Sequence, residues 1–424
     1  MSLEKRRDTM AKTMLIADDL TGALDAGVCL LPADVLVATS PEGVTCELVS
    51  SCPAAISVNA GTRHLDAVSA AARVAALVEV AREAGVPCVV KKTDSALRGN
   101  VGAELTAAWR ASGLPRIHFI PALPEMGRVT RGGVHYVDGV PVAESAFGRD
   151  PFEPVRVSDV RALVSSQTDA PVHLVEEGSP APLDASGIVI YDATSTESMV
   201  ARVRELRDAG ELGVVAGCAG VTDALAGVLD LGRMHGEKSL DSGNLLAVCG
   251  SVNSASRAQC RFAEGSGARV MRIGEREKCD DSWLDSEDGR SFVSRASESW
   301  GNAPLTVVDG SGLEDLTGLV PEGTDVRQVV ADHIGAILVS ICEQGLHGRV
   351  LVTGGDILAS FLAQSGVERV RPLDQPAPGI VGFELDLRGQ RLVIFSKSGG
   401  FGSRELLVEM AGRSREMAKE CAHA

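Results

Sequence analysis

The chain has 424 residues and a formal net charge of −16, and 45% of its residues are apolar. This length predicts two or three domains, and the negative charge disfavours a nucleic-acid partner, because such binding relies on clustered Lys and Arg. Aromatic residues make up only 3% of the chain, which favours α/β packing over a β-sandwich.

In the first half of the chain, short apolar runs alternate with amphipathic helical segments. The run at 14–17 predicts a strand that is followed by a helix from about Leu20. Residues 65–84 have helical periodicity that ends at Gly85, and the run "VPCVVKK" predicts another strand. This alternation implies βαβ units on a mostly parallel sheet.

A polar, turn-rich stretch at 231–244 predicts the linker between two domains, 1–235 and 236–424. A second strand–helix series follows and ends with a helix predicted at 403–419, whereas the acidic stretch 275–302 is expected to be an exposed excursion. The expected fold class is therefore α/β, with two domains that each hold a mostly parallel sheet flanked by helices.

The ten cysteines are scattered without C-x-x-C spacing, and most lie in apolar runs. This pattern is typical of reduced thiols in a cytoplasmic protein. The chain shows no apolar signal core near its start and no run close to 18 apolar residues, so no membrane partner is expected.

Charged side chains follow three predicted strands of the first half, in "IADDLTG", "GTRH" and "KKTDSALRG". Ligands gather at the carboxyl ends of parallel strands, so these loops are expected to converge. Arg and Lys would bind a carboxylate, while Asp would accept from hydroxyl groups and could act as a general base. The alternative for the pair Asp18 and Asp19 is a helix N-cap with a dipole partner.

The stretch 121–151 is rich in Gly and Arg and contains "VHYVDGVPV", which predicts a β-hairpin with an Asp-Gly turn. Two roles are open for it: a cover over the crevice, or an edge hairpin without a function. His135 within it is either a ligand-binding side chain or an ordinary surface or core residue.

Three strand exits of the second half are rich in glycine: "VCGSVNSASRAQ", "LVTGGDILA" and "FSKSGGFGSRE". Backbone N–H groups at such exits bind phosphate. Ser251 could add a hydroxyl, Lys397 a charge, and Asp356 a helix cap or a water-mediated Mg²⁺ contact. No Walker A or G-x-G-x-x-G motif is found. One such turn is often only a tight turn, but three together favour a nucleotide site.

Long motifs along nearly the whole chain resemble the four-carbon acid sugar kinases, which phosphorylate threonate, erythronate or 3-oxo-tetronate. They include "IADDLTGALDAGV", "KKTDSALRGNVGAEL", "PALPEMGRVTRGGVHYVDGVPVAES", "GSVNSASRAQ", "VTGGD" and "KSGGFG". The resemblance implies an N-terminal substrate domain, a C-terminal nucleotide domain, and the use of ATP with Mg²⁺.

The resemblance also implies site residues. The sugar acid would be bound by Asp18, Arg63, Lys92, Thr93, Asp94 and Ser95, to which the charge pattern adds Arg98. ATP would be bound around Ser251, Gly354, Gly355, Asp356, Ile357, Lys397, Gly399 and Gly400. Ile357 departs from the family pattern, which has threonine at this point, and the missing hydroxyl is expected to weaken ATP binding.

The sequence therefore predicts a kinase in which a sugar-acid hydroxyl attacks the γ-phosphate of MgATP. Asp18, Asp19 or Asp94 would take the proton, with Asp18 or Asp19 favoured, and closure of the two domains would exclude water. Two alternatives are a non-catalytic acid-sugar sensor, which Ile357 alone supports, and a dehydrogenase, which the missing dinucleotide motif disfavours. A homodimer is left open.

Overall fold

The computed structural model describes residues 13–31, 33–52, 54–150, 153–231, 243–312, 316–321 and 323–412. The chain divides into two compact units, Met1–His235 and Gly236–Ala424. Most of the predicted linker, at 232–242, lies outside the described residues, as do 413–419 of the predicted last helix; residues 406–412 are helical.

Eight strands form the main sheet of the first unit. They are β1 (Thr13–Ala17), β2 (Val35–Ala38), β3 (Ala55–Asn59), β4 (Cys88–Lys92), β5 (Arg116–Ile120), β9 (Val172–Val175), β10 (Gly187–Tyr191) and β11 (Val214–Gly217). Their order is β2-β3-β1-β4-β11-β5-β10-β9, and neighbouring strands pair in parallel.

Seven α-helices lie within the described residues of this unit. They are α1 (Leu20–Val28), α2 (Cys46–Ser51), α3 (Ala67–Glu83), α4 (Val101–Ser112), α5 (Val160–Ser165), α6 (Thr196–Asp208) and α7 (Ala219–Val228). Both faces of the sheet are buried: on β1, Met14 and Ile16 belong to one apolar cluster and Leu15 to another. Burial on both faces explains why these strands are continuous apolar runs without alternation.

The chain order reverses at β1. After β1 the chain builds β2 and β3 on one side of it, and β4 then pairs with its other side. A reversal of this kind opens a crevice beyond the carboxyl ends of the strands. The loops after β1, β3 and β4 therefore start next to one another, as the sequence predicted.

The hairpin predicted within 121–151 forms a small sheet of its own. It consists of β6 (Arg128–Arg131), β7 (Val134–Val137) and β8 (Val140–Pro141). Asp138 and Gly139 turn with positive φ, at 52° and 80°, as a tight hairpin turn requires. The small sheet is separate from the main sheet, and isolated bridges join Thr130 to Ala193 and Val134 to Asp159.

Seven strands form the sheet of the second unit. They are β12 (Asn244–Cys249), β13 (Arg269–Arg272), β14 (Leu305–Asp309), β15 (Gly348–Thr353), β16 (Arg369–Ala377), β17 (Ile380–Leu387) and β18 (Gln390–Lys397). Their order is β13-β14-β12-β15-β18-β17-β16. The first five are parallel, and β16, β17 and β18 pair in antiparallel fashion. The predicted fold class is confirmed.

The helices of this unit are α8 (Ser254–Gly265), α9 (Glu275–Cys279), α10 (Glu287–Asn302), α11 (Val326–Glu343) and α12 (Gly355–Ser365). The expectation of an exposed excursion at 275–302 was wrong, since α9 and α10 lie there. Phe292, Val293, Ala296 and Trp300 form a buried stripe along α10. Their helical spacing was present in the sequence but was masked by the acidic residues between them.

Within the described residues, no helix is long and apolar enough to cross a membrane. The cysteines of the same ranges are free thiols.

Candidate functional site

The guanidinium group of Arg63 contacts the carboxylates that follow β1 and β4. Its Nε atom lies 2.8 Å from Asp18 Oδ2, its Nη1 atom 2.5 Å from Asp19 Oδ2, and its Nη2 atom 3.5 Å from Asp94 Oδ1. The side chain of Arg63 is only 10% exposed. The structure thus brings together the three predicted loops through one guanidinium group.

Asp18 is a buried, charged residue with one carboxylate oxygen that has no hydrogen-bond partner among the described residues. Burial alone would raise the pKa of this carboxyl, but Arg63, Lys91 and Lys92 outweigh burial and lower it. Asp18 Oδ1 is buried and has no hydrogen-bond partner in the described part of the chain. Asp18 is therefore an ionised carboxylate that holds one acceptor ready for another molecule.

Asp19 uses both carboxylate oxygens within the protein. Its Oδ1 atom accepts from the Gly22 N–H at 2.7 Å and caps α1, and its Oδ2 atom accepts from Arg63. The helix-cap interpretation therefore describes Asp19 but not Asp18. A Cβ atom on Gly22 would lie 2.6 Å from Asp19 Oδ1 and 3.0 Å from Lys92 Nζ, so this turn needs glycine.

Asp94 organises the loop after β4. Arg98 donates to both of its oxygens, at 2.9 and 2.8 Å, and the backbone N–H groups of Ala96 and Arg98 donate to Oδ2. Burial opposes ionisation of Asp94, but Arg98 and Arg63 hold its pKa well below the usual range. A carboxylate bonded in this way shapes the loop and is a poor proton acceptor.

The two lysines at the end of β4 have different surroundings. Lys91 is fully buried and forms an ion pair with Glu104 of α4 at 2.7 Å, so its role is structural. Lys92 Nζ donates to the Thr93 carbonyl at 2.8 Å. Burial would lower the pKa of Lys92, but Asp18, Asp19 and Asp25 raise it overall. An ammonium group has three donors, so Lys92 keeps capacity for a ligand.

The cations of this cluster are balanced by carboxylates. Arg63, Arg98 and Lys91 are all paired with carboxylates. Arg98 pairs with Asp94 of the same segment, whereas Lys91 pairs with Glu104 of α4. A ligand at this site therefore meets oriented donors and acceptors rather than a field of positive charge.

Two threonine hydroxyls near Asp18 are also left open. Thr62 Oγ1 and Thr93 Oγ1 are buried without a hydrogen-bond partner among the described residues. Thr62 is held at the site by its backbone N–H, which donates to the Asp18 carbonyl at 2.9 Å. Sequence reasoning selected Thr93 but missed Thr62; its position next to Arg63 was the available signal.

Asp25 is a second residue that sequence reasoning missed. It lies on α1, and its Oδ1 atom is buried without a partner in the described ranges. Burial raises the pKa of Asp25 to about 6, although Lys92 acts against this shift. Only its place within the motif "DDLTGALDAG" could have drawn attention to it.

Ser95 and Arg98 border the cluster. The Ser95 carbonyl lies 2.9 Å from His135 Nε2, and the Arg98 side chain is 25% exposed. The Arg98 guanidinium lies 5.3 Å from the centre of the Phe147 ring. Arg98 is thus the most accessible of the paired cations at this site.

In the second unit, the glycine-rich exit of β18 lies against the start of α8. A Cβ atom on Gly399 would lie 2.2 Å from Ser251 Oγ, so the two exits can approach only because this residue is glycine. Ser256 Oγ donates to the Gly399 carbonyl at 2.7 Å, and Gln259 donates to the carbonyls of Phe401 and Ser403 at 2.9 Å each. The predicted Ser251 and Gly399 positions therefore meet, with Gly400 next to them.

Lys397 lies beneath the same loop. It is 1% exposed, and its Nζ atom donates to the carbonyls of Ser398 and Gly399 at 3.1 and 3.2 Å. Burial lowers the pKa of Lys397 to about 8. The ammonium group thus supports the loop. Because this pKa is close to neutrality, the group loses its charge under mildly alkaline conditions.

Gly354 and Gly355 connect β15 to α12. Gly354 has a φ of 118°, which only glycine adopts readily. Asp356 is exposed in the first helical turn, where a negative charge favours the helix dipole. The backbone N–H groups at the start of α12 therefore follow a glycine turn, as in phosphate-binding sites.

Ile357 does not face this open side. Its side chain is 4% exposed, and its Cδ1 atom lies 2.0 Å from where a Gly250 Cβ atom would be. Ile357 therefore packs against the backbone of the first glycine-rich exit and fills core space. That the missing hydroxyl weakens ATP binding stays a prediction.

No group of three or more His, Cys, Asp or Glu side chains within the described ranges could hold a metal ion. Mg²⁺ usually takes one or two carboxylates together with substrate phosphates and water. Mg²⁺ that arrives with the nucleotide therefore needs only one or two carboxylates from the protein, such as that of the exposed Asp356, and no preformed cage.

Two family models match the chain: a sugar-binding N-terminal domain over residues 13–225 and a nucleotide-binding C-terminal domain over residues 246–407. A D-threonate kinase of Salmonella typhimurium is 30% identical, with 96% of this chain and 99% of the relative covered. A D-threonate kinase of Bordetella bronchiseptica is 29% identical over 95% and 97%. A D-erythronate kinase of Heliobacterium modesticaldum is 27% identical over 85% and 87%.

Solved structures agree on the fold. A crystal structure from Salmonella typhimurium superposes with a TM-score of 0.72 at 20% identity, covering 94% of this chain and 98% of that one. A Haemophilus influenzae protein gives 0.69 at 17% identity over 94% and 99%.

The relatives named as kinases match over most of this chain, and they show that it is a phosphotransferase with an alcohol group as acceptor. The chain belongs to the four-carbon acid sugar kinase family, as its motifs predicted.

Proposed function

We propose that the protein transfers the γ-phosphoryl group of ATP to a hydroxyl of a four-carbon sugar acid: threonate, erythronate or 3-oxo-tetronate. The observation that carries this proposal is the set of buried oxygens without a partner in the loops after β1, β3 and β4, namely Asp18 Oδ1, Thr62 Oγ1 and Thr93 Oγ1. A short polyol carboxylate offers hydroxyls for these oxygens and an anion for Lys92 and Arg98. The names of the relatives support the same substrate class.

The substrate carboxylate would be bound by Lys92, which keeps donors in reserve, and by the partly exposed Arg98. The hydroxyls would bond to Asp18, Thr62 and Thr93. Because Arg63 and Asp94 fix the loops on either side, the direction of each donor and acceptor is set before the substrate arrives. Such a site selects among stereoisomers by the direction of their hydroxyls.

Asp18 would be the proton acceptor. The acceptor oxygen attacks the γ-phosphorus, the bond to the bridging β–γ oxygen breaks, ADP leaves, and the hydroxyl proton passes to Asp18 Oδ1. Asp19 is less suited because both its oxygens are bonded within the protein. The lowered pKa of Asp18 suits a carboxylate that orients the hydroxyl and takes its proton late, as in other phosphoryl transfers.

The glycine-rich exits of β12, β15 and β18 would bind the ATP phosphates through backbone N–H groups, with Ser251 adding a hydroxyl. Asp356 would hold Mg²⁺, directly or through water. The ion would neutralise the charge that develops on the phosphates. Lys397 would act from below by keeping the loop at 398–400 in shape.

No observation favours the sensor alternative. Its only sequence support was Ile357, and that side chain packs in the core against Gly250.

An ADP-release assay tests the proposal, with MgATP and a panel of D- and L-threonate, D- and L-erythronate and their 3-oxo forms. We expect turnover with at least one acid and its loss in Asp18→Ala and Lys92→Ala. A folded wild-type protein that releases no ADP with any acid of the panel would contradict the proposal.

A further inference from the structure

His135 is a buried histidine that the proposed chemistry does not use. It lies on β7 of the small sheet and is 0% exposed. Its Nε2 atom is 2.9 Å from the Ser95 carbonyl oxygen, and its Nδ1 atom is 3.0 Å from Thr130 Oγ1. The ring therefore joins the small sheet to the loop that carries Asp94 and Arg98.

The partners fix one ring proton. A carbonyl oxygen can only accept a hydrogen bond, so His135 Nε2 must carry a hydrogen that it donates to Ser95. On the other side, the Thr130 hydroxyl also lies 2.7 Å from the Pro121 carbonyl oxygen. Whichever way that hydroxyl turns, the Nε2–H bond to Ser95 is unchanged.

The small sheet is itself held firmly to the main sheet. The N–H groups of Gly132 and Gly133 donate to the Asp192 carboxylate at 2.7 and 3.0 Å. The His135 N–H donates to the Ser158 carbonyl at 2.8 Å. His135 thus projects from a fixed support, and its bond to Ser95 transmits that support to the loop.

We propose that His135 is a positioning residue for the sugar-acid site, which it serves by anchoring the Ser95 carbonyl through its Nε2–H group. Ser95 follows Asp94 directly, so the anchor fixes the carboxylate that pairs with Arg98 and Arg63. The identity of the substrate in this inference rests on the proposed function, whereas the bond from His135 to Ser95 does not. The small sheet is then a fixed support of the site rather than a cover that opens and closes.

Substitutions separate positioning from general stability. Glutamine can place an amide N–H near the position of Nε2, whereas asparagine is too short to reach Ser95. We expect His135→Asn to raise the KM for the sugar acid by about tenfold, the typical consequence of leaving a buried carbonyl unpaired. The KM for ATP should stay within about twofold of wild type, and His135→Gln should recover most of the affinity for the acid.

His173 provides a matched control. It lies on β9, and its Nε2 atom bonds to the Ser186 carbonyl at 3.0 Å, but it is remote from the cluster in the strand order. His173→Asn should leave both KM values unchanged. Equal effects of the two asparagine variants, or an unchanged KM for the acid in a folded His135→Asn protein, would overturn the proposal.

A direct measurement keeps the inference testable if His135→Asn does not fold or if no acid is turned over. Long-range ¹H–¹⁵N correlation on the ¹⁵N-histidine-labelled full chain reports which ring nitrogen is protonated, and the His135→Gln spectrum assigns the signal. We expect Nε2 to carry the proton at neutral pH. A neutral ring protonated only at Nδ1 would overturn the anchor, whatever the substrate of the protein is.

Discussion

The loops that follow the strands differ between the two units in the residues that hold them. In the first unit, the loops after β1, β3 and β4 are joined by charged side chains, with Arg63 in contact with Asp18, Asp19 and Asp94. In the second unit, the exits of β12, β15 and β18 are rich in glycine, and the side chains of Ser256, Gln259 and Lys397 donate to backbone carbonyls of the β18 exit. The first arrangement suits a ligand that is recognised by the direction of its hydroxyls, and the second suits phosphate groups.

The largest effect should come from Asp18→Asn. The substitution keeps the shape but removes the charge and the proton acceptor, so kcat should fall by about a thousandfold, within the usual range for loss of a general base. Steady-state assays with the accepted sugar acid measure this change.

Asp19→Asn is the paired control for this prediction, because asparagine still caps α1. It should lower kcat much less than Asp18→Asn does. If Asp19→Asn were the more damaging substitution, the assignment of the proton acceptor would be reversed.

A smaller effect is expected on the nucleotide side from Lys397→Met. Loss of the ammonium group frees the carbonyls of Ser398 and Gly399 and loosens the loop, which should raise the KM for ATP by about tenfold, the order of one or two charge-assisted hydrogen bonds. The affinity for the sugar acid, measured by calorimetry without nucleotide, should not change. A loss of affinity for the acid instead would contradict the assignment of the acid site to the first unit and of the ATP site to the second.

The pKa of Lys397, lowered by burial to about 8, predicts a pH effect of a few-fold. The ammonium group loses its proton as the pH rises through that value, so kcat/KM for ATP should fall above about pH 8. Profiles of kcat/KM report ionisations of the free enzyme. Lys397→Arg stays charged in this range, and its profile should be flat; a fall of equal size in this variant would assign the effect to another group.

The smallest effect on activity should come from Ile357→Thr, the substitution that restores the family pattern. Because Ile357 packs against Gly250 in the core, the change should lower the free energy of unfolding by about 2 kcal/mol, from lost apolar contact and a buried hydroxyl. Chemical denaturation measures this, and Ile357→Val should lose less. A gain in ATP affinity in Ile357→Thr would show that the hydroxyl reaches the nucleotide after all.

Apolar periodicity was sufficient to predict the fold class and most strands, since buried parallel strands and amphipathic helices leave strong patterns. The helix α10 was missed because acidic residues hide the stripe that includes Phe292 and Trp300. Pairs between segments were beyond reach: nothing in "KKTDSALRG" shows that Lys91 pairs with Glu104 or that Asp94 also contacts Arg63. The sequence therefore indicated which residues gather but not that their charges cancel.

The most direct test of the account is a crossed calorimetric titration of wild type, Asp18→Ala and Lys397→Met with the accepted sugar acid and, separately, with MgATP. We predict that Asp18→Ala loses binding of the acid and keeps that of MgATP, and that Lys397→Met binds MgATP about tenfold more weakly and binds the acid as wild type does. If Asp18→Ala, still folded, bound the acid as tightly as wild type, or if it lost MgATP instead, the assignment of the acid site to the loops after β1, β3 and β4 would be contradicted.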